Sequence, residues 1–285
     1  LRIYWDVSPL NNDNKITLAG LAKLAGVSTS TVSRALNNNP LIKQETRDSL
    51  QALAKQHNFS LNRAASRLRT QKTNVIAVIL NLSDSTDQSI SDPFLLKVVG
   101  DLNQALNQHG YEMLLSNSLM AHEDWTSYFI NSSRADGIIV VGQGKCTQKI
   151  EDVALSGAPL VVWGDPKVNA TYPVIGSDNC LGSYLATRHL IEGGCKRIVF
   201  LGDPEHAEMS ERYKGYEKAL AEFNLDISID LTVSCDITSK AAYEKMDQVI
   251  LDHGLFFDGI VAASDMVALG ALKALKERYI NIPND

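Results

Sequence analysis

Residues 16–37 read ITLAGLAKLAGVSTSTVSRALN, two short helical patterns separated by a glycine. Leu18, Leu21, Ala22 and Ala25 recur at helical spacing and give the first segment one apolar face, with Thr17 placed as its N-cap. Gly26 ends that helix and Ser28 caps the next. In the second segment Val32, Ala35 and Leu36 turn inward, which leaves Thr29, Ser30, Ser33 and Arg34 on the outer face. Short hydroxyl side chains let a helix lie deep in a DNA major groove about 12 Å wide, where they donate to phosphates or base edges. Arg34 is then the one long side chain suited to the paired acceptors of guanine. The Ala22, Gly26, Val32 spacing fits the tight crossing of a helix-turn-helix, which an ordinary helical hairpin does not need. A generic two-helix corner is the plainer alternative for so short a motif.

The segment LAKLAGVSTSTVSRALN, followed by IKQETRDSLQALAKQHNFSLNRAASRLRT at 42–70, resembles the DNA-binding head and hinge of the lactose repressor (LacI/GalR) family of transcription factors. The resemblance extends from Ile16 to the end of the chain. It implies that Thr29, Ser30 and Arg34 read bases, and that Ser28, Thr31, Ser33 and Asn37 touch phosphate, with Thr17 grouped among the DNA-binding residues. It also aligns Asn62, Ala65 and Leu68 with a hinge helix that enters the minor groove and wedges its leucine between base pairs, a contact that kinks the duplex. Leu61 departs from the pattern, standing where the family commonly has proline, so entry to the hinge is expected to be looser.

Charge supports a nucleic-acid partner at one end. Residues 1–72 hold eleven Lys or Arg against four Asp or Glu, whereas the whole chain carries a net charge of −6. A basic head on an acidic body is an electrostatic footprint for phosphate, and no carboxylate occurs from 49 to 83. No stretch approaches the ~18 apolar residues of a membrane span and no signal peptide is visible, so no membrane partner and a cytoplasmic location are expected. Cys146, Cys180, Cys195 and Cys235 lie far apart without clustered histidines, which predicts buried thiols and neither a disulfide framework nor a metal site.

Beyond the hinge the pattern alternates strands and helices. VIAVIL (75–80) reads as a strand buried on both faces; a helix over 94–109 ends at Gly110, YEMLLS is a strand, 122–134 reads helical, and GIIVV (137–141) and LVVW (160–163) are strands. The chain crosses over near Tyr172–Pro173, and a second series begins with VIGS: a helix Asn179–Glu192, RIVFLG, a helix Arg212–Phe223, a weak strand near Leu231–Ser234, a helix through Ile250, GIVAA, and a helix from Asp265. The predicted fold class is a small all-α head followed by two doubly wound α/β lobes with parallel sheets, of periplasmic-binding-protein type. The expected domains are a flexible extension (1–15), the DNA-binding domain (16–60), hinge and linker (61–72), a first lobe (73–172) and a second lobe (173–285). The family continues through further strands after NIPND (281–285), so the resemblance implies an incomplete second lobe and reduced stability.

In such sheets ligands bind at the carboxyl ends of strands. Asp92 and Phe94, Trp163 and Asp165, Arg212, and Asp265 all satisfy that test, and the resemblance implies that they face one cleft holding a small effector, often a sugar. Carboxylates and arginine bind adjacent hydroxyls with charge-assisted strength, and Phe94 or Trp163 suits the apolar face of a pyranose. Arg212 is placed at a helix opening, where it opposes the helix dipole unless a ligand holds it. Asp178 and Asp265 are also placed to N-cap helices, Asp178 reading mainly as a cap and Asp265 mainly as a ligand contact. Asp165 follows one residue later than the family's aspartate, and Trp163 suits the core as well as a stacking platform.

Phosphate-binding and hydrolase motifs are missing; GQGK (142–145) lacks the third glycine of a dinucleotide loop, so no enzyme activity and no cofactor are expected. The reading is a sequence-specific regulator, a repressor of carbohydrate-utilisation genes, that binds a near-palindromic operator as a homodimer and is switched by a sugar-like effector. The alternatives left open are a two-lobed sugar-binding protein without a transcriptional role, and a sugar-responsive activator.

Overall fold

The computed structural model describes residues 16–59, 72–82, 88–118, 124–144, 147–167, 170–253 and 257–283. It separates into two compact units, Leu1–Lys72 and Thr73–Asp285.

The first unit is a three-helix head: α1 (Leu18–Ala25), α2 (Thr29–Leu36) and α3 (Gln44–Gln56). Its local signals act as their chemistry dictates. The Thr17 hydroxyl accepts from Gly20 N, and the Ser28 hydroxyl from Thr31 N, both at 3.1 Å. Gly26 closes α1 at φ 66°, a left-handed conformation that glycine adopts without penalty. Leu21, Val32 and Ala35 are wholly buried against Leu50 and Ala54 of α3. The α2–α3 connection is pinned by Gln51 Nε2, which donates to the Ala35 carbonyl at 3.2 Å and to Asn38 Oδ1 at 2.8 Å.

In the second unit the first lobe is a five-stranded parallel sheet of order β2-β1-β3-β4-β5, built from β1 (Val75–Leu80), β2 (Glu112–Asn117), β3 (Gly137–Val141), β4 (Leu160–Trp163) and β5 (Val174–Ile175). Strand β1 lies between β2 and β3 and buries five of its six residues, which is why its sequence is unbroken apolar. Helix α4 (Pro93–Gln108), a π-helical turn (Thr126–Asn131) and α5 (Gln148–Leu155) connect these strands. The second lobe carries a three-stranded parallel sheet, β7-β6-β8, from β6 (Ile198–Leu201), β7 (Thr232–Val233) and β8 (Gly259–Ala262). Helices α6 (Asn179–Glu192), α7 (Ala207–Glu222), α8 (Ser239–His253) and α9 (Asp265–Glu277) accompany it. No helix among the described residues is long and apolar enough to cross a membrane.

Four details correct the sequence reading. Strand β5 closes the first lobe and does not open the second: Val162 pairs with Val174 and Trp163 with Ile175, and Tyr172 is buried in the first lobe's core. The 173 boundary is therefore early, and the second series begins at α6. Of the 122–134 segment, 122 and 123 lie outside the described residues and the rest narrows to the π-helical turn Thr126–Asn131, with Trp125 and Phe129 filling the core. Helix α5 escaped notice because Thr147 makes no side-chain cap bond and only Ile150 and Val153 are buried. Helix α7 starts at Ala207, five residues before Arg212; His206 makes no side-chain cap bond, so no start signal marks it.

Candidate DNA-reading face and effector cleft

On the head, Thr29, Ser30 and Arg34 are exposed on one side of α2, with Thr31 and Ser33 half-buried beside them. The Ser28 hydroxyl lies 2.8 Å from that of Ser30 and 2.9 Å from that of Thr31, so the first turn carries a pre-ordered cluster of hydroxyls. Asn37 Nδ2 donates to the Ser33 carbonyl at 2.9 Å and stays exposed at the far end of the helix. One guanidinium among short hydroxyls is a surface that can enter a groove and still deliver a single long reader. Asn62, Ala65 and Leu68, with Leu61 and residues 1–15, lie outside the described residues.

In the second unit a continuous hydrogen-bonded path joins the two lobes at the carboxyl ends of their strands. Gln143, just past β3, is wholly buried; its backbone amide donates to Glu208 Oε1 of α7 at 2.8 Å. Its side-chain oxygen accepts from Asp165 N at 2.8 Å, just past β4. Asp165, also wholly buried, accepts from Lys167 N on one oxygen and from Asn179 Nδ2 on the other, both at 2.8 Å. Asn179 Oδ1 in turn accepts from Arg212 Nε at 2.8 Å, and Arg212 Nη1 donates to the Ala263 carbonyl past β8. His206 Nδ1 lies 2.9 Å from Glu208 Oε2. Apart from Lys167, every residue of this path is buried or half-buried, which makes an unpaired member costly.

Two close approaches set this geometry. A Cβ on Gly215 would lie 2.1 Å from the Cys180 carbonyl oxygen, so glycine lets α7 cross α6 in contact and brings Arg212, one turn back, onto Asn179. A Cβ on Gly176 would lie 1.7 Å from the Gly164 carbonyl oxygen, and glycine there lets the β4 and β5 ends close around Asp165.

The charges are held accordingly. Burial pushes the Glu208 carboxyl up, but the hydrogen bond and charge of His206 and the backbone amides of Gln143 and Glu208 outweigh it and hold the group below the ordinary glutamate value. Burial pulls the Arg212 guanidinium down, opposed by the carboxylates of Glu208, Asp165 and Asp265, and arginine's high intrinsic value keeps it charged.

The sequence-derived cleft residues separate into two groups. Arg212 and Asp165 share the network, bridged by Asn179, and Asp265 lies two residues beyond the Ala263 carbonyl that Arg212 holds. Arg212 belongs to the second turn of α7, so the helix-opening argument for it does not stand; its partners hold it instead. Asp265 is the first residue of α9, while Ser264 supplies the cap by accepting from Val267 N at 3.3 Å. Asp178 does cap α6, accepting from Leu181 N at 2.9 Å, and also pairs with Lys167. Phe94 and Trp163 pack on each other, ring centroids 5.2 Å apart and tilted by 43°. Asp92 N-caps α4 by accepting from Phe94 N at 2.8 Å and Leu95 N at 3.3 Å.

Sequence reasoning missed Gln143, Asn179, His206 and Glu208. Gln143 and Asn179 sat in view, one past a strand and one opening a helix, but Glu208 and His206 were hidden by the late start assigned to α7. Of the cysteines described, Cys235 is buried, and burial pushes its thiol up to about 12, whereas Cys180 and Cys195 are half-buried. Among the described residues no group of His, Cys, Asp or Glu is placed to hold a metal ion.

Residues 17–62 match the model of bacterial regulatory proteins of the LacI family, and residues 75–285 match that of periplasmic binding proteins and the sugar-binding domain of the LacI family. Among curated proteins, the transcriptional regulator MalR of Clostridium butyricum is 31% identical over 282 residues, covering 95% of this chain and 81% of its own length. The transcriptional repressor PurR of Haemophilus influenzae is 29% identical, covering 94% and 79%. Among solved structures, the transcriptional regulator CelR in complex with cellobiose is similar with a TM-score of 0.65 at 25% identity, covering 94% of this chain and 80% of that one. The lac repressor dimer bound to operator and an anti-inducer shares the fold with a TM-score of 0.77 at 22% identity, covering 95% and 80%. The helix-turn-helix head, the parallel-sheet body and matches that span both place this chain in the LacI family of DNA-binding transcriptional regulators.

Proposed function

We propose that this protein is a cytoplasmic repressor, without enzyme activity, that binds a near-palindromic operator as a homodimer and responds to a sugar held between the lobes of its body. The observation that carries the reading is the buried path from Gln143 through Asp165 and Asn179 to Arg212, which joins two lobes through side chains that also bind hydroxyls. Arg212 has five N–H donors and uses two in bonds to Asn179 and Ala263, so it retains donors for a ligand. A sugar that bonds both lobes favours one lobe arrangement over another, and that preference is the coupling energy, typically 1–3 kcal/mol. Relatives agree with this assignment: one is a repressor, and another is solved with cellobiose.

At the operator, Thr29, Ser30 and Arg34 read base edges while Thr17, Ser28, Thr31, Ser33 and Asn37 hold the backbone, and paired hinges carry Asn62, Ala65 and Leu68 into the minor groove between half-sites. Asp92, Phe94, Trp163, Asp165, Arg212 and Asp265 face the effector, with Gln143, Asn179 and Glu208 added to that set. Selection from a randomised DNA pool, with cellobiose, maltose, glucose and ribose added in parallel, tests the proposal. It yields a palindrome whose capture changes with one of the sugars; recovery of sequences without a common element, bound only through salt-sensitive charge, contradicts it.

A further inference from the structure

We infer that the cleft accepts only uncharged effectors, and that Asp165 and Glu208 are specificity-determining residues that exclude phosphorylated sugars and other anions. This inference rests on the reading of the cleft as the effector site.

The argument is one of charge placement. Among the described residues Arg212 is the only arginine in the network, and three carboxylates act on it, those of Glu208, Asp165 and Asp265. Asp165 is wholly buried and both its oxygens accept N–H bonds, the arrangement of an ionised group with acceptors only. Glu208 is 7% exposed and one oxygen accepts the Gln143 amide from the opposite lobe, so it cannot swing away without opening the lobe contact. Asp203, past β6, is buried and caps its own turn through Glu205 N at 3.0 Å. Among the described residues, Lys167 is closed on Asp178 and Lys214 on Glu211. Among the described residues named here, His206 changes the total by one unit, and the groups around Arg212 are net negative whether it is charged or neutral.

An anion drawn to Arg212 therefore meets buried carboxylates in a medium that screens poorly, while a hydroxyl meets acceptors on the carboxylates and donors on the guanidinium. A neutral polyol uses both kinds of partner. A phosphate uses only the cation.

The test measures thermal stabilisation of the purified full chain by cellobiose, maltose, glucose and ribose, beside glucose 6-phosphate and inorganic phosphate at matched concentrations. A neutral sugar raises the midpoint, R212A abolishes the rise, and the phosphorylated compound binds roughly tenfold or more weakly than its neutral counterpart. E208Q brings phosphate or glucose 6-phosphate binding up toward the neutral level. D265N, at an exposed position whose cap is supplied by Ser264, gives the same change in smaller degree and serves if E208Q does not fold. Wild-type stabilisation by glucose 6-phosphate or phosphate, lost in R212A, overturns the inference and leaves the cleft assignment standing. A sugar effect that survives R212A, or no stabilisation by any compound, overturns the assignment and the inference with it.

Discussion

The head and the cleft use polar side chains in opposite ways. The head exposes its hydroxyls and Arg34 on a face whose support lies within a few residues: Thr17 caps toward Gly20, Ser28 toward Thr31, and Gly26 turns the chain between them. The cleft buries its polar groups and gathers them from the ends of β3 and β4 and from α6 and α7, so that Gln143 meets Glu208 across 65 positions of sequence. A local motif tolerates change one residue at a time, whereas a buried network shares its losses among all its members. Mutations in the two regions should therefore differ in size, in what they disturb and in their dependence on pH.

The largest effect is expected at the helix crossing. Gly215→Val sets a side chain against the Cys180 carbonyl and Tyr184 N, and should cost the body about 3 kcal/mol, read as a lowered midpoint of thermal unfolding. An unchanged midpoint would mean that α6 and α7 can separate without harm to the network. Next is Arg34→Ala, which should weaken binding to the selected operator by about 1–3 kcal/mol and relax preference at one base, with the body's unfolding unaltered. Equal weakening on unrelated DNA would make Arg34 a phosphate contact. Asn179→Ala leaves Arg212 Nε and an oxygen of Asp165 without their buried partner and should destabilise the body by about 1–3 kcal/mol, while Asn179→Asp tests whether the amide donor is essential.

Ser28→Ala removes one cap and should cost the head about 1 kcal/mol, visible in thermal unfolding as a loss confined to the helical head. The smallest expected effect is on pH. Glu208 is held below its ordinary 4.5, so its contribution is present above that value and is lost as pH falls through the folded value. The midpoint of the body should fall in that acid range, less steeply in Glu208→Gln. Identical acid profiles for the two proteins would show that Glu208 is not held as its partners imply.

The same contrast explains what the sequence made legible. Caps, periodicity and a left-handed glycine act over three or four residues, so α1, α2 and the strand β1 could be read directly. The strand β5 could not: its two residues follow a crossover signal at Tyr172–Pro173, and only pairing with β4 assigns them to the first lobe. For Arg212 the helix-opening argument fails, since α7 has already run a full turn before it; the strand-end position and the family resemblance point to it, and its support comes from Asn179 and Ala263, distant in sequence. Phe94 and Trp163 were recognisable as aromatic residues near a strand end, but their contact with each other follows from packing alone.

The most direct test of a DNA-reading head coupled to a sugar-sensing body is a crossed titration. The selected operator is titrated with wild type, R34A and R212A, with and without whichever of cellobiose, maltose, glucose or ribose alters wild-type binding. R34A should bind the operator weakly and retain stabilisation by the sugar, and R212A should bind the operator as wild type does and ignore the sugar. If R212A kept the full sugar response, or R34A kept full operator affinity, the division of labour between the two regions would be contradicted.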